Sequence, residues 1–284
     1  MKIKFFDPAK GYSKIRDEVL GEIDRVLSAG DLILRDDVEK FEKSLAEYVG
    51  TKYCVALNSG TDALYLSLKA LGIGKGDEVL VPSYTFVATA QVVKQCGATP
   101  IQYDMDGLLI FNRNEVKAII PVHMEGKFAD HFEEILKIAN ERRWYVIEDS
   151  AQALGAEWKG KKAGSFGNAG CFSFYPAKIL GNFGDAGALV TNDKKMYNYV
   201  REARNHFKES NSDWGLNSRL DNVWASVLNI KFKYLSQVLK IRENIAAMYL
   251  KAFKELEEDG FVSLPENTTG RVWQDFCIRI NEKQ

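Results

Sequence analysis

Cys171-Phe172-Ser173-Phe174-Tyr175-Pro176-Ala177-Lys178 runs, past Ile179, into the glycine-rich Leu180-Gly181-Asn182-Phe183-Gly184-Asp185-Ala186-Gly187-Ala188. An apolar, aromatic run seldom ends on a lysine, because burying an unpaired ammonium is costly. One reading of Lys178 is a strand-end lysine that snorkels to water along its aliphatic stem. The other is an amine whose charge is removed by chemistry. In Schiff-base linkage to an aldehyde cofactor it is bonded into its site, and burial also helps it act as a base.

Upstream lies Arg143-Trp144-Tyr145-Val146-Ile147-Glu148-Asp149-Ser150-Ala151-Gln152-Ala153-Leu154-Gly155. Tyr145 to Ile147 has the β-branched and aromatic character of a buried parallel strand. Asp149 then sits at the strand's C-terminal end, where open α/β sheets hold their ligands. A carboxylate there suits a protonated pyridine nitrogen and would make pyridoxal 5'-phosphate (PLP) an electron sink. Gln152 can reach the phenolic oxygen of the same ring. The competing reading of Asp149 is a helix N-cap before small residues.

A phosphate site is the third requirement. Asn58-Ser59-Gly60-Thr61-Asp62-Ala63-Leu64 follows the strand-like Tyr53-Cys54-Val55-Ala56-Leu57 and opens a helical pattern. Gly60 lets the backbone approach an anion, and the free N–H groups of a helix start favour one. By itself Ser-Gly-Thr is an ordinary cap. In chain order, however, a phosphate turn, Asp-x-x-Gln after a strand and Ser-x-x-x-x-Lys occur together.

With these motifs the chain resembles the DegT/DnrJ/EryC1/StrS family of PLP-dependent sugar aminotransferases. Further resembling stretches are Gly76 to Ala90, Ile119 to His123 and Gly215-Leu216-Asn217-Ser218-Arg219-Leu220-Asp221. The resemblance implies the aspartate aminotransferase-like fold type I. It gives Lys178 the catalytic Schiff base, Asp149 the pyridine nitrogen and Gln152 the ring oxygen. Phe86 would stack on the ring face, its alternative being an ordinary core aromatic. Gly60, Thr61 and Ser173 would hold the phosphate. Asn217 would reach the same phosphate from a neighbouring subunit, in a homodimer with shared active sites; without the family it reads as a turn residue.

The chain departs from its relatives at Ile179, where many have Asn, at Trp224-Ala225-Ser226 and at Arg35-Asp36. Relatives also continue well past the equivalent of Arg279-Ile280-Asn281 with a small α/β domain. Here the sequence ends at Gln284, after the strand-like Phe276-Cys277-Ile278-Arg279-Ile280. That strand is expected to lack partners and leave an open edge. A truncated gene and a minimal family member both fit, and weak turnover is expected.

With 284 residues the chain can bury a large core. Its net charge of −1 makes no electrostatic case for nucleic acid or an anionic membrane. No apolar run approaches the roughly 18 residues of a spanning helix, and Met1-Lys2-Ile3-Lys4-Phe5-Phe6 is too short for a signal peptide. Cys54, Cys96, Cys171 and Cys277 lack metal-site spacing and read as reduced thiols of a cytoplasmic protein. His123, His131 and His206 are too dispersed for a metal centre.

Strand candidates are Cys54–Leu57, Glu78–Val81, Thr99–Tyr103, Ala118–Val122, Tyr145–Ile147, Cys171–Phe174 and Ala188–Thr191. Helical patterns lie at Ile15–Leu27, Val38–Tyr48, Ala88–Cys96 and Phe132–Arg142, with one long stretch over Leu220–Leu256. This alternation predicts an α/β three-layer sandwich around a mostly parallel mixed sheet, with a shortened C-terminal small domain. Residues 1–235 are assigned to the large PLP-binding domain, the N-terminal segment being a candidate to pack on the small one. Residues 236–284 form the linking helix and the start of the small domain. Gly72-Ile73-Gly74-Lys75-Gly76 has the wrong context for a dinucleotide loop and reads as a turn.

The expected reaction is amino transfer from an amino acid, glutamate by expectation, to a nucleotide-linked keto-deoxysugar of surface-polysaccharide or antibiotic pathways. Pyridoxamine 5'-phosphate (PMP) is the alternate cofactor form. Arg219 is a candidate for the substrate diphosphate, with a surface salt bridge as its other reading. The rival functions are a catalytically weak or non-catalytic PLP-binding homologue and a PLP-dependent sugar dehydratase. Dehydratases of this kind lack the Schiff-base lysine, so Lys178 argues against the latter.

Overall fold

The computed structural model describes residues 4–104 and 115–281, so Met1, Lys2 and Ile3 of the basic start lie outside the described residues. In chain order the strands are β1 (Tyr53–Leu57), β2 (Glu78–Pro82), β3 (Thr99–Tyr103), β4 (Val116–Ile119), β5 (Tyr145–Asp149), β6 (Glu157–Trp158) and β7 (Lys161–Lys162). They continue with β8 (Ala169–Ser173), β9 (Gly187–Thr191), β10 (Val262–Ser263) and β11 (Arg279–Ile280). Seven of them form the main sheet, in the order β1-β9-β8-β5-β4-β2-β3. From β3 through β2, β4 and β5 to β8 every pairing is parallel, while β9 runs antiparallel to both β8 and β1. The central strands are buried on both faces, which is why they read as continuous apolar runs rather than alternating ones.

Helices cover both faces. They are α1 (Pro8–Ala29), α2 (Asp36–Val49), α3 (Gly60–Ala70), α4 (Ala88–Gln95), α5 (Phe132–Arg142), α6 (Lys194–Ala203), α7 (Asn222–Lys233), α8 (Leu235–Ala252) and α9 (Lys254–Glu258). One core joins Val79, Val81, Ala118 and Ile147 of the sheet to α3, α4 and α6. On the opposite face Leu80, Ile119 and Val146 pack with α5, and Ala56, Phe172 and Ala188 with α2 and α7. The three-layer sandwich expected from the alternating pattern is therefore the observed one.

Some expectations need correction. The long helical stretch over Leu220–Leu256 is three helices, interrupted at Tyr234 and Phe253, whose backbones sit near ψ of 1° and 3°. An apolar period carries across such one-residue breaks, so the pattern does not register them. Helix α1 begins earlier than expected, at Pro8 behind the Asp7 cap, and bends at Ile15. Only Arg279–Ile280 of the expected C-terminal strand is paired as a strand, and it is not partnerless: it pairs antiparallel with Val262–Ser263. Phe276 instead packs on Tyr249 and Trp273. The Gly72–Gly76 segment is a turn, with Gly74 N–H donating to Asp77 Oδ2 at 2.9 Å.

Strand β1 is an edge of the sheet, and side chains occupy its open side. The Ala56 N–H donates to Glu42 Oε1 at 2.8 Å, and Arg204 Nη1 donates to the Ala56 carbonyl at 2.9 Å. Arg204 and Glu42 also pair with each other, and both are largely buried.

Candidate active site

The parallel pairing aligns the C-terminal ends of β2, β4, β5 and β8 along one ledge. Most of the chemistry-bearing residues singled out in the sequence stand on it or on the turns that leave it.

At the phosphate corner Ser59 caps α3, its hydroxyl accepting the Asp62 N–H at 3.0 Å, while its carbonyl takes the Ala63 N–H at 3.1 Å. Among the described residues the N–H groups of Gly60 and Thr61 have no hydrogen-bond partner at the positive end of the helix. Gly60 abuts the end of β8, and a Cβ there would lie 2.9 Å from Ser173 Cβ and 3.2 Å from the Phe172 carbonyl oxygen. Thus Gly60 meets Ser173 directly, with Thr61 next to it in the first turn of α3. Gly187, which the sequence reading did not single out, is equally constrained. A side chain there would run into the backbone of Ser59 and Gly60; its only sequence signal was the glycine-rich run.

Asp149 ends β5 and is buried, with no helix after it, so the N-cap alternative fails. Its Oδ1 accepts the Ala151 N–H at 3.2 Å, and its Oδ2 accepts the Thr89 hydroxyl at 2.9 Å. Thr89 is fully buried and lies 2.8 Å, oxygen to oxygen, from the Thr85 hydroxyl. Because Thr89 spends its one proton on Asp149, Thr85 donates in that contact. Burial pushes the Asp149 carboxyl up, against the Ala151 N–H, the Thr89 hydroxyl and the Lys178 charge. Sequence reasoning missed Thr89; its place at one-turn spacing after Thr85 on α4 was the available signal.

Lys178 follows β8, its N–H bonded to the Tyr175 carbonyl at 2.8 Å. It is partly buried, and desolvation pulls its amine down from the ordinary lysine range, with Asp149 and Asp275 opposing. Gln152 Oε1 accepts the Glu125 N–H at 2.7 Å, which fixes the amide orientation and leaves its NH2 as the donor end, without a partner among the described residues. Phe86, at the entrance to α4, is 68% exposed, so it is not the core aromatic of the alternative reading.

Beneath the ledge, Glu148 is fully buried and satisfied on every side. It accepts the N–H groups of Gly164, Phe166 and Gly167 at 2.8, 2.7 and 2.7 Å. Its fourth partner is His123 Nε2 at 3.0 Å. His123 Nδ1 takes the Ala129 N–H at 3.0 Å, so the Nε2 proton points to Glu148. The His123 backbone N–H in turn binds the Asp149 carbonyl at 3.0 Å.

Asn217 is exposed, and its Oδ1 accepts from Arg219 Nε at 2.9 Å. Arg219 also reaches Asn205 Oδ1 at 3.3 Å, so its partners are asparagines rather than the carboxylate of a surface salt bridge. Next to Asn217, Ser218 donates to Asp62 Oδ2 at 2.6 Å and accepts the Asn58 N–H at 3.2 Å, tying this turn to the phosphate corner. Among the described residues no His, Cys, Asp or Glu cluster could hold a metal.

An amine, a buried carboxylate, an amide donor and a free N–H cradle fit PLP, with one group for each polar part of that cofactor. This is the ledge of a fold type I PLP-dependent transferase. The family model for DegT/DnrJ/EryC1/StrS aminotransferases matches residues 13–284, and the chain belongs to that family, which uses PLP. Among curated relatives it is 37% identical to a dTDP-3-amino-3,4,6-trideoxy-alpha-D-glucose transaminase of Streptomyces venezuelae, over 99% of this chain and 77% of the relative. A UDP-2-acetamido-2-deoxy-3-oxo-D-glucuronate aminotransferase of Pseudomonas aeruginosa is 38% identical over 99% of this chain and 81% of its own length. Among solved structures, NtdA of Bacillus subtilis with bound PMP superposes with a TM-score of 0.91 at 31% identity, covering 99% of this chain and 67% of that one.

Proposed function

We propose that this aminotransferase moves the amino group of an amino acid, glutamate, onto a nucleotide-linked keto-deoxysugar, serving surface-polysaccharide or antibiotic sugar synthesis in the cytoplasm. The observation that carries the reading is the meeting of Lys178, Asp149 and the free N–H groups of Gly60 and Thr61 on one ledge. The relatives named for nucleotide-sugar transamination support the substrate class.

Bound PLP supplies an aldehyde that captures amines and a ring that accepts the electrons of a broken Cα–H bond. The chain's residues do the rest. The Gly60 and Thr61 N–H groups and the Ser173 hydroxyl hold the phosphate. Asp149, whose carboxylate form the Thr89 hydroxyl and the Ala151 N–H favour against the upward push of burial, would hold a proton on the pyridine nitrogen. The Gln152 NH2 would donate to the phenolic oxygen, and Phe86 would supply an aromatic face for the ring. Lys178 Nζ, its proton affinity lowered by burial, takes the Cα proton of the amino donor.

Exposed Tyr84, Val87, Tyr175 and Trp214 lie beside Phe86, Ser173 and Asn217 in the chain. Exposed apolar side chains near the site residues in sequence fit burial against a second copy, in a two-fold dimer where Asn217 completes the partner's phosphate site. Arg219 would then face the substrate's diphosphate. Incubation with glutamate and a panel of nucleotide keto sugars, read by mass spectrometry, tests the function. Amino-sugar product is expected, and PLP binding without product from any keto sugar would overturn the substrate class.

A further inference from the structure

The segment Arg271–Phe276 threads through the ledge from the far end of the chain. Val272 N–H donates to the Gly126 carbonyl at 2.8 Å, so close that any side chain on Gly126 would collide with the Val272 backbone. Arg271 pairs with Glu125 at 3.2 Å, and Glu125 is the residue whose N–H orients Gln152. On its other side the segment is held by α8, where Arg242 Nη1 donates to the carbonyls of Trp273 and Gln274 at 2.9 and 3.0 Å.

Gln274 sits between these anchors with a buried side chain. Its Oε1 accepts the Ile179 N–H at 3.0 Å, and its Nε2 donates to the Ala177 carbonyl at 3.1 Å. One amide thus satisfies the backbone on both sides of Lys178, as a neighbouring strand would. The groups that act on the Lys178 amine are Asp149 from β5 and Asp275 from this same segment. The lysine's backbone and part of its electrostatic surroundings therefore come from residues far along the chain.

We propose that Gln274 is the positioning residue for Lys178, so that the seating of the Arg271–Phe276 segment and the placement of the amine are one event. The inference rests on the cofactor-bearing role assigned to Lys178. Two full-chain variants test it: Gln274→Met, which keeps the volume but loses both hydrogen bonds, and Arg242→Met, which loosens the segment without touching the lysine loop. Melting temperature is followed in both. In PLP-free protein, competitive acetylation across pH, read by peptide mass, reports the Lys178 amine directly. With PLP added, borohydride trapping reports the rate of attachment.

Loss of two hydrogen bonds is expected to slow PLP attachment in Gln274→Met by roughly tenfold. The pH of half-labelling should move up, as the freed amine gains water. Arg242→Met should shift both readings the same way by less, and it carries the test alone if Gln274→Met fails to fold. Folded variants with an unchanged labelling midpoint and attachment rate would overturn the proposal. Because acetylation reads the amine itself, failure of the amino-transfer assay leaves this result interpretable.

Discussion

Replacing Lys178 with alanine removes the amine and the base together, and turnover should fall by roughly 10²–10⁴-fold, the range for one positioned acid–base group. Borohydride treatment of the parent should fix PLP to Lys178, and mapping the label to another lysine would refute the assignment. Thr89→Val deletes one of the two donors that favour the Asp149 carboxylate against the upward push of burial. A carboxylate active when ionised loses function as pH falls through its titration, and losing a donor raises that titration further. The acid limb of the pH–rate profile should therefore move to higher pH, with turnover near neutrality down about tenfold, while Thr89→Ser retains the parent profile. A valine variant with an unmoved acid limb would show that Thr89 only fills space. Lys231 carries a third prediction. Its Nζ bonds the Gly181 carbonyl and lies over the Phe183 ring, and burial pushes its amine down to about 8 from an ordinary 10.5. Between those values the unfolded chain binds the extra proton, so this group makes stability rise with pH across that window and adds no slope below about 8. Urea unfolding of Lys231→Met should lack that rise relative to the parent, and parallel curves would dismiss it.

At the scale of elements, Glu148 shows how a strand end is tied to its surroundings. One carboxylate gathers three backbone N–H groups from the turn before β8 and the imidazole of His123. Glu148→Gln turns an acceptor oxygen into an NH2 facing those donors, and should cost roughly 2–4 kcal/mol of stability. An unchanged urea midpoint would mean that water replaces the lost bonds. The strands were legible because both-face burial writes itself as short β-branched runs, and Asp149 because it follows such a run directly. Lys178 was legible from its incongruity in an aromatic segment. The role of Glu148 was not, since a carboxylate satisfied by backbone groups across 16 to 19 positions leaves no local pattern. The breaks at Tyr234 and Phe253 were hidden for the opposite reason: local apolar spacing continued through them. Gln274 was invisible because its two partners lie 95 and 97 positions away.

For the whole molecule, the proposed shared-site dimer is open to a complementation test. Lys178→Ala and Asn217→Ala subunits, each inactive alone, should recover part of the parental activity when mixed, because one hybrid site is intact. Verified heterodimers without recovery would count against a shared site. The outer margin of β1 has a separate consequence. An edge strand offers unpaired backbone groups on which another chain can lay down a strand and begin a fibre. Here the Ala56 positions in such a template are already taken, one by a carboxylate and one by a guanidinium. An incoming strand would have to displace a largely buried ion pair before its first hydrogen bond at Ala56 could form. The protein thereby guards itself against templated aggregation at the margin where its sheet would otherwise be open to growth.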